Sequence, residues 1–186
     1  MPILDKEPHI FPEDLLENAH FEGSNGRRWW VLHTRPRQEK AIARDLLGRG
    51  VPFYLPLISR ESLIRGKRVR SFVPVFNSYL FLHADENERA GCLKTNRVVN
   101  SLEVTDAREL VADLRQVQRL IDVDAPLSLE RRIGQRQWVR VKQGPLAGIE
   151  GVVQRRKKKT HLIVLVRLLN QGVSVELDDF MVEPLT

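Results

Sequence analysis

The side chains that carry most enzyme chemistry are present in this chain but are not assembled for it. His9, His20, His33, His83 and His161 are scattered, with no spacing that would gather imidazoles on one metal ion. A single cysteine, Cys92, cannot build a thiolate zinc site, and it reads as a small buried hydrophobe. No Gly-x-Ser-x-Gly elbow occurs. The run Gly144-Pro-Leu-Ala-Gly148-Ile-Glu-Gly151 is not a phosphate-cradling loop, because no Gly-Lys-Ser/Thr follows it. Carboxylates are numerous, but they lie among basic residues on expected surfaces. The expectation is a protein that is not an enzyme, with no catalytic residue, no metal and no cofactor.

The chemistry on offer is polyanion contact and apolar docking. Thr34-Arg-Pro-Arg-Gln-Glu-Lys40 sets Arg35, Arg37, Lys40 and then Arg44 at the start of a helix. A helix N-terminus with arginines suits phosphate, and the alternative is an ordinary solvated helix face. Arg65-Gly-Lys-Arg-Val-Arg70 puts four cations in six residues at a hairpin tip. Such a ribbon reaches a nucleic-acid backbone or simply protects a strand edge. Alternation along Val75-Phe-Asn-Ser-Tyr-Leu-Phe-Leu82 places Tyr79 and Phe81 on one face and Leu80 and Leu82 on the other. Two apolar faces mean either burial on both sides or one face kept for a partner.

These groups need elements to position them. Arg28–Thr34 reads as a strand, and Arg37–Arg49 as a helix with Ile42, Ala43, Leu46 and Leu47 in one stripe. Val51–Ile58 is a second strand, Glu61–Pro74 a hairpin turned at Arg65-Gly66-Lys67, and Val75–His83 a third main strand. After a short helical or irregular segment at Asn87–Thr95 come a strand at Val98–Val104 and a helix at Ala107–Ile121. The apolar set of that helix is Leu110, Leu114, Val117 and Ile121. This is an α+β sandwich, with about four antiparallel strands and helices on one face. Further on, Val139–Val153 reads strand, glycine-punctuated turn, strand, followed by alternating segments at His161–Leu169 and Val173–Leu177. Roughly five short strands in about fifty residues make a small β-barrel. The domains expected are an acidic flexible extension over 1–26, an α/β domain over 27–122, a linker over 123–133 and a barrel over 134–186.

Charge supports that division. Residues 1–26 hold Lys6 against Asp5, Glu7, Glu13, Asp14, Glu17 and Glu22, a net of −5, which leaves +11 on the rest of a chain whose total is +6. A basic body suggests polyanion contact, and its acidic tail a shield over it. A hydrophobic share of 42% with 29% charged residues fits a globular protein. No apolar run approaches the ~20 residues of a membrane helix, and no secretory signal is read, so a cytoplasmic monomer without a membrane partner is expected.

The order of motifs resembles the NusG family of transcription elongation factors, built from an NGN domain, a linker and a KOW barrel. The resemblance covers residues 28–186 and rests on several runs. They are Trp29-Trp-Val-Leu, Glu39-Lys40, Phe53-Tyr-Leu-Pro56, Arg65-Gly-Lys-Arg68, Phe76-Asn-Ser-Tyr-Leu-Phe-Leu82, Gly-Pro-x-x-Gly-x-x-Gly and Val175-Glu-Leu-Asp178. One departure is that Asn77-Ser78 stands where the family usually has Pro-Gly or Pro-Asn, which puts the local turn in question. The segment around Ile58–Arg68 is closest to specialised paralogues of the RfaH type. The resemblance implies no catalysis. It implies docking on the clamp helices of the largest RNA polymerase subunit through a patch centred on Phe76, Tyr79 and Phe81, with suppressed pausing or termination. It further implies a gate-loop contact near Arg89–Cys92, contact with the non-template DNA strand through Arg35, Arg37, Lys40, Arg44 and the outlying Arg49, and recruitment of a small-subunit ribosomal protein or Rho at Leu168 and Leu169. Some RfaH-type proteins refold the KOW region as a helical hairpin, against which Val164, Val166, Val173 and Val175 favour strands. The competing reading is a stand-alone KOW-type RNA-binding or ribosome-associated module, which would need aromatics beside Arg155–Lys159, where there are none.

Overall fold

The computed structural model describes residues 6–18, 26–124, 126–130, 137–156, 159–177 and 182–185. The chain divides into two compact units, Met1–Ala107 and Arg108–Thr186.

The first unit is built on a five-stranded antiparallel sheet. Its strands are β1 (Ile10–Phe11), β2 (Arg28–Thr34), β3 (Phe53–Tyr54), β6 (Tyr79–Ala84) and β7 (Val98–Glu103), in the order β1-β3-β6-β2-β7. Strands β4 (Leu57–Ile64) and β5 (Lys67–Pro74) form a separate two-stranded ribbon. The expected Val51–Ile58 strand is thus split, because Leu55 and Pro56 separate β3 from the ribbon. Register gives each sheet face its own set. Trp30 pairs with Leu82 and Leu32 with Leu80 on one face, while Trp29 pairs with His83, Val31 with Phe81 and His33 with Tyr79 on the other.

Helix α1 (Glu39–Gly48) buries Ile42, Ala43 and Leu46 in a core with Trp30, Leu32, Phe53, Leu80 and Leu82. Leu47, counted in the apolar stripe from sequence, is instead exposed. Helix α2 (Glu86–Leu93) is the helical of the two alternatives, short helix or irregular segment, read at Asn87–Thr95. Its start is a capping box, in which Glu88 N–H donates to the Asp85 carboxylate at 2.8 Å and Asp85 N–H donates to Glu88 at 2.9 Å. The Asp85-x-x-Glu88 spacing carries that signal in the sequence.

The extension 1–26 reads as mobile apart from a turn of helix at Pro12–His20, but part of it is integrated in the sheet. Ile10 and Phe11 pair with Tyr54 and Phe53, and Leu15 and Leu16 are buried. Those apolar side chains give the segment a reason to stay on the sheet that its acids alone do not.

The second unit begins with helix α3 (Ala107–Asp122), whose buried face is Leu110, Val111, Asp113, Leu114, Val117 and Leu120. Leu120, not Ile121, closes that stripe. The sequence counts this helix with the first domain, whereas from Arg108 onward it falls in the second unit, where Asp113, Gln116 and Arg119 find partners. Asp113 accepts from Arg167 at 2.9 Å through the backbone and 2.6 Å through the guanidinium, Gln116 accepts from Glu150 N–H at 2.6 Å, and Arg119 donates to the Ala147 carbonyl at 2.6 Å.

Strands β8 (Ser128–Glu130), β9 (Trp138–Val141), β10 (Glu150–Arg156), β11 (Lys159–Val166), β12 (Gln171–Leu177) and β13 (Val182–Pro184) form one antiparallel sheet in the order β13-β9-β10-β11-β12-β8. Among the described residues the count is six where five were expected. The extra strand, β8, comes from the expected linker: Leu129 pairs with Val173, and Ser174 Oγ donates to the buried Glu130 carboxylate at 2.8 Å. The valines at 164, 166, 173 and 175 lie in strands, and no helical hairpin forms there among the described residues.

Two expected outcomes test this packing. A Cβ added at Gly151 would lie 2.4 Å from the Ile163 carbonyl oxygen, which is strand backbone and cannot step aside. Gly151→Ala should therefore lower stability by on the order of 1–3 kcal/mol in urea unfolding. Burial pushes the Cys92 thiol up to about 11. At pH 8 it should resist iodoacetamide in the native protein and react once urea unfolds it, as a thiol deprotonates and becomes nucleophilic only when returned to water.

Candidate nucleic-acid interface and docking positions

Three backbone segments meet at one end of the first sheet. Strand β2 ends at Thr34, whose N–H donates to the Ser78 carbonyl at 2.8 Å. Arg35 N–H donates to the Arg97 carbonyl at 2.8 Å, and its guanidinium to Asn96 Oδ1 at 2.8 Å. The Ser78 N–H donates to Glu39 Oε1 at 2.6 Å. Glu39 is the only acid between Thr34 and Ala41, and it is buried, so its charge serves the turn and not the surface.

That turn answers the question raised by Asn77-Ser78. Ser78 has φ +65, in the left-handed region. Glycine and asparagine adopt it more readily than other residues, which accounts for the pattern usual at this position. Serine is held there because both its backbone polar groups are fixed, one by Glu39 and one by Thr34.

Helix α1 starts at Glu39 and not at Arg37, which has φ +66 in the preceding turn. Arg35 and Arg37 therefore sit before the helix, and the five sequence-chosen cations do not share one helical face. The structure also separates them by pairing. Arg44 is bonded to Glu7 at 2.6 Å and Arg49 to Asp45 at 2.5 Å. The Glu7 contact is one place where the acidic extension covers a basic side chain. The side chains of Arg37 and Lys40 have no ion-pair partner among the described residues. Lys94 and Arg97, which sequence reasoning missed, are exposed on the turn tied to Arg35. Only the β2–β7 pairing brings them there, so no local signal marked them. The end of the sheet thus joins Arg35 to the Asn96–Arg97 turn, with Arg37, Lys40 and Lys94 on the segments on either side.

The aromatic patch differs from expectation. Phe76 is 1% exposed and Phe81 0%, so neither forms a free surface. Phe81 is flanked by Val31 and Tyr54 in the register and packs edge-on to Phe76, with ring centroids 6.1 Å apart. Tyr79, at the end of the strand, is half-buried and stacks on His33 at 5.2 Å. Of the three residues, only Tyr79 presents side-chain surface beside the basic turn.

The Arg89–Cys92 segment is also committed elsewhere. Arg89 bonds to Glu86, donates to Ser101 Oγ at 2.7 Å and lies 4.7 Å over the Trp30 ring, while Cys92 is buried. In the second unit, Leu168 and Leu169 occupy a 3-10 turn, Arg167–Leu169, ended by Asn170 in the left-handed region. Strand β11 stops at Val166 and does not reach Leu169 as the alternation suggested. Leu168 is 40% exposed and Leu169 partly buried, and Asp113 fixes Arg167 at the base of the turn. No cluster of three or more His, Cys, Asp or Glu suited to a metal occurs among the described residues. No described helix is long and apolar enough to cross a membrane.

The Ser78 turn makes a paired prediction for urea unfolding of the full chain. Ser78→Gly relieves the positive φ and should stabilise by about 0.5–1 kcal/mol. Glu39→Ala strands the Ser78 N–H and should destabilise by about 1–3 kcal/mol, with Glu39→Gln, which keeps an acceptor, in between. A neutral Glu39→Ala would remove this contact from the account.

Comparison with known proteins agrees with the motif order. Residues 27–137 match the family described as "Transcription termination factor nusG". A curated relative, the transcription termination/antitermination protein NusG of Pseudomonas aeruginosa, is 28% identical over 177 residues, covering 84% of this chain and 98% of that protein. A solved structure of Thermotoga maritima NusG, described as showing domain interaction, aligns with TM-score 0.50 at 14% identity, over 88% of this chain and all of the other, and it shows likeness of fold. The family match spans more than half the sequence and includes the whole basic turn and its aromatic strand, and on that ground this chain belongs to the NusG family of transcription termination and antitermination factors.

Proposed function

We propose that this chain acts on elongating RNA polymerase as an antitermination factor, holding the polymerase through Tyr79 and the displaced DNA strand through the neighbouring cations. The observation that carries the reading is the basic turn, where Arg37 and Lys40 have no ion-pair partner among the described residues. Arg35, Arg37 and Lys40 flank Glu39 in the sequence, and the Glu39 carboxylate is buried on the Ser78 N–H, next to the half-buried Tyr79. Phosphates recover charge compensation that the protein itself withholds from these side chains. Phe76 and Phe81 are buried and packed edge-on against each other. They would join a polymerase contact on the clamp helices only if their face were uncovered.

Leu168 supports a second contact. An exposed leucine on a turn braced by Arg167 and Asp113 is an apolar knob with a fixed base, suited to a ribosomal protein or Rho. The chain needs no catalytic group for any of this. Its work is differential binding to one state of the polymerase over another.

Binding of the full chain to a reconstituted elongation complex tests the reading. Tyr79→Ala should weaken binding at least tenfold while leaving the unfolding midpoint nearly unchanged, whereas Phe81→Ala should lower stability by about 3–5 kcal/mol because it empties core volume. Replacing Arg35, Arg37 and Lys40 with Gln should reduce the slope of log affinity against log salt by about three on complexes with an exposed non-template strand. Unchanged binding in both Tyr79→Ala and the triple Gln variant would defeat the proposal.

A further inference from the structure

The β4–β5 ribbon uses none of the residues invoked above. Its root, Leu57, is buried, but every residue from Arg60 to Arg68 is exposed. Eight residues per strand give it a reach of roughly 25 Å. The tip is a two-residue turn, Arg65-Gly66, with φ of 50 and 75, a geometry that closes a hairpin tightly.

Two large apolar side chains stand just behind that turn, Leu63 at 74% exposure and Ile64 at 54%. The register pairs Leu63 with Arg68 and Ile64 with Lys67. Directly opposed residues share a face and successive ones alternate, so each face of the ribbon carries one apolar side chain beside one cation. A surface that docks on one side would gather its apolar residues on that side. A tip that is apolar on both sides, with cations on both sides, suits a slot that covers it twice between charged walls.

The charge names the walls. Between Arg60 and Arg70 the ribbon carries Arg60, Arg65, Lys67, Arg68 and Arg70 against Glu61, a net of +4. The side chains of Arg65, Lys67 and Arg68 have no ion-pair partner among the described residues. An opened base step in a double helix has two parallel apolar faces bordered by phosphates, and Leu and Ile are among the side chains that enter such steps from the minor groove. We propose that the β4–β5 tip is a wedge for double-stranded nucleic acid. Leu63 and Ile64 enter a base step, and Arg65, Lys67 and Arg68 take the flanking phosphates. This site is independent of the Tyr79 contact with polymerase and survives if that reading fails.

The test uses the full chain and a short DNA duplex with 2-aminopurine at its centre, followed by anisotropy and by 2-aminopurine fluorescence. Wild type should bind and raise the fluorescence as the base unstacks. Leu63→Ser with Ile64→Ser should abolish the rise while changing affinity by less than about tenfold, because phosphate contacts dominate affinity. Arg65→Gln, Lys67→Gln and Arg68→Gln together should lower the salt slope by about three. All five side chains are solvent-exposed, and circular dichroism will confirm that the variants fold. Absence of duplex binding overturns the proposal, as does a fluorescence rise that survives Leu63→Ser with Ile64→Ser, or binding with no rise at all. Tip-dependent binding to phosphatidylserine vesicles without any to duplex would assign the ribbon to lipid surfaces instead.

Discussion

A buried carboxylate accepting one backbone N–H holds the working end of the first unit together. Glu39 stands in the first turn of α1, and Ser78 stands in the turn that feeds β6. Their contact joins a helix to a strand across 39 positions of sequence, and the Thr34 bond to the Ser78 carbonyl closes the same knot from β2. A buried acceptor in place of water is worth its full desolvation cost if the donor is lost, so this arrangement resists small rearrangement. It also draws the one local acid inward, and Arg37 and Lys40 beside it have no ion-pair partner among the described residues. One interaction thereby sets both the shape of the turn and the electrostatics of its surface.

The second unit uses the same device, a helix carboxylate accepting a backbone N–H from a distant turn. Asp113 on α3 is nearly fully buried and receives both the backbone N–H and the guanidinium of Arg167. The turn carrying Leu168 is thus braced by a helix more than fifty residues earlier in the chain. An apolar residue on a loose turn would lose much of any docking energy to the ordering of that turn. On a braced turn that cost is smaller. Both candidate contact points therefore rest on a polar bond that is distant in sequence and whose carboxylate is buried.

The regular elements were legible because their causes are local. Strand β2 is found where the run Arg28–Thr34 put it, and α3 is one residue longer than its apolar spacing indicated. Less legible were features with two local solutions. Leu47 extends an apolar stripe in the sequence but lies just past the buried face of α1. Strand β8 looks like linker because three residues without a partner carry no pattern, and only pairing with β12 makes them a strand. Strand β1 was hidden in an acidic segment for the same reason.

By itself the sequence determined the element types, the strand faces, the basic character of the body and the order of motifs that marks the family. All of these follow from residue type and from spacing within a dozen positions. Only the tertiary structure decided which groups are available. Tyr79 and Phe81 share a face in the alternation, yet Phe81, packed against Tyr54 and Phe76, is buried while Tyr79 is not. Arg44 and Arg49 are as basic as Arg37 and Lys40, yet Glu7 and Asp45 neutralise the first two and spare the second. Lys94 and Arg97 join the basic turn only through the pairing of β7 with β2. Charge is a property of the residue, but free charge is a property of its neighbours, and most of those neighbours are far away along the chain.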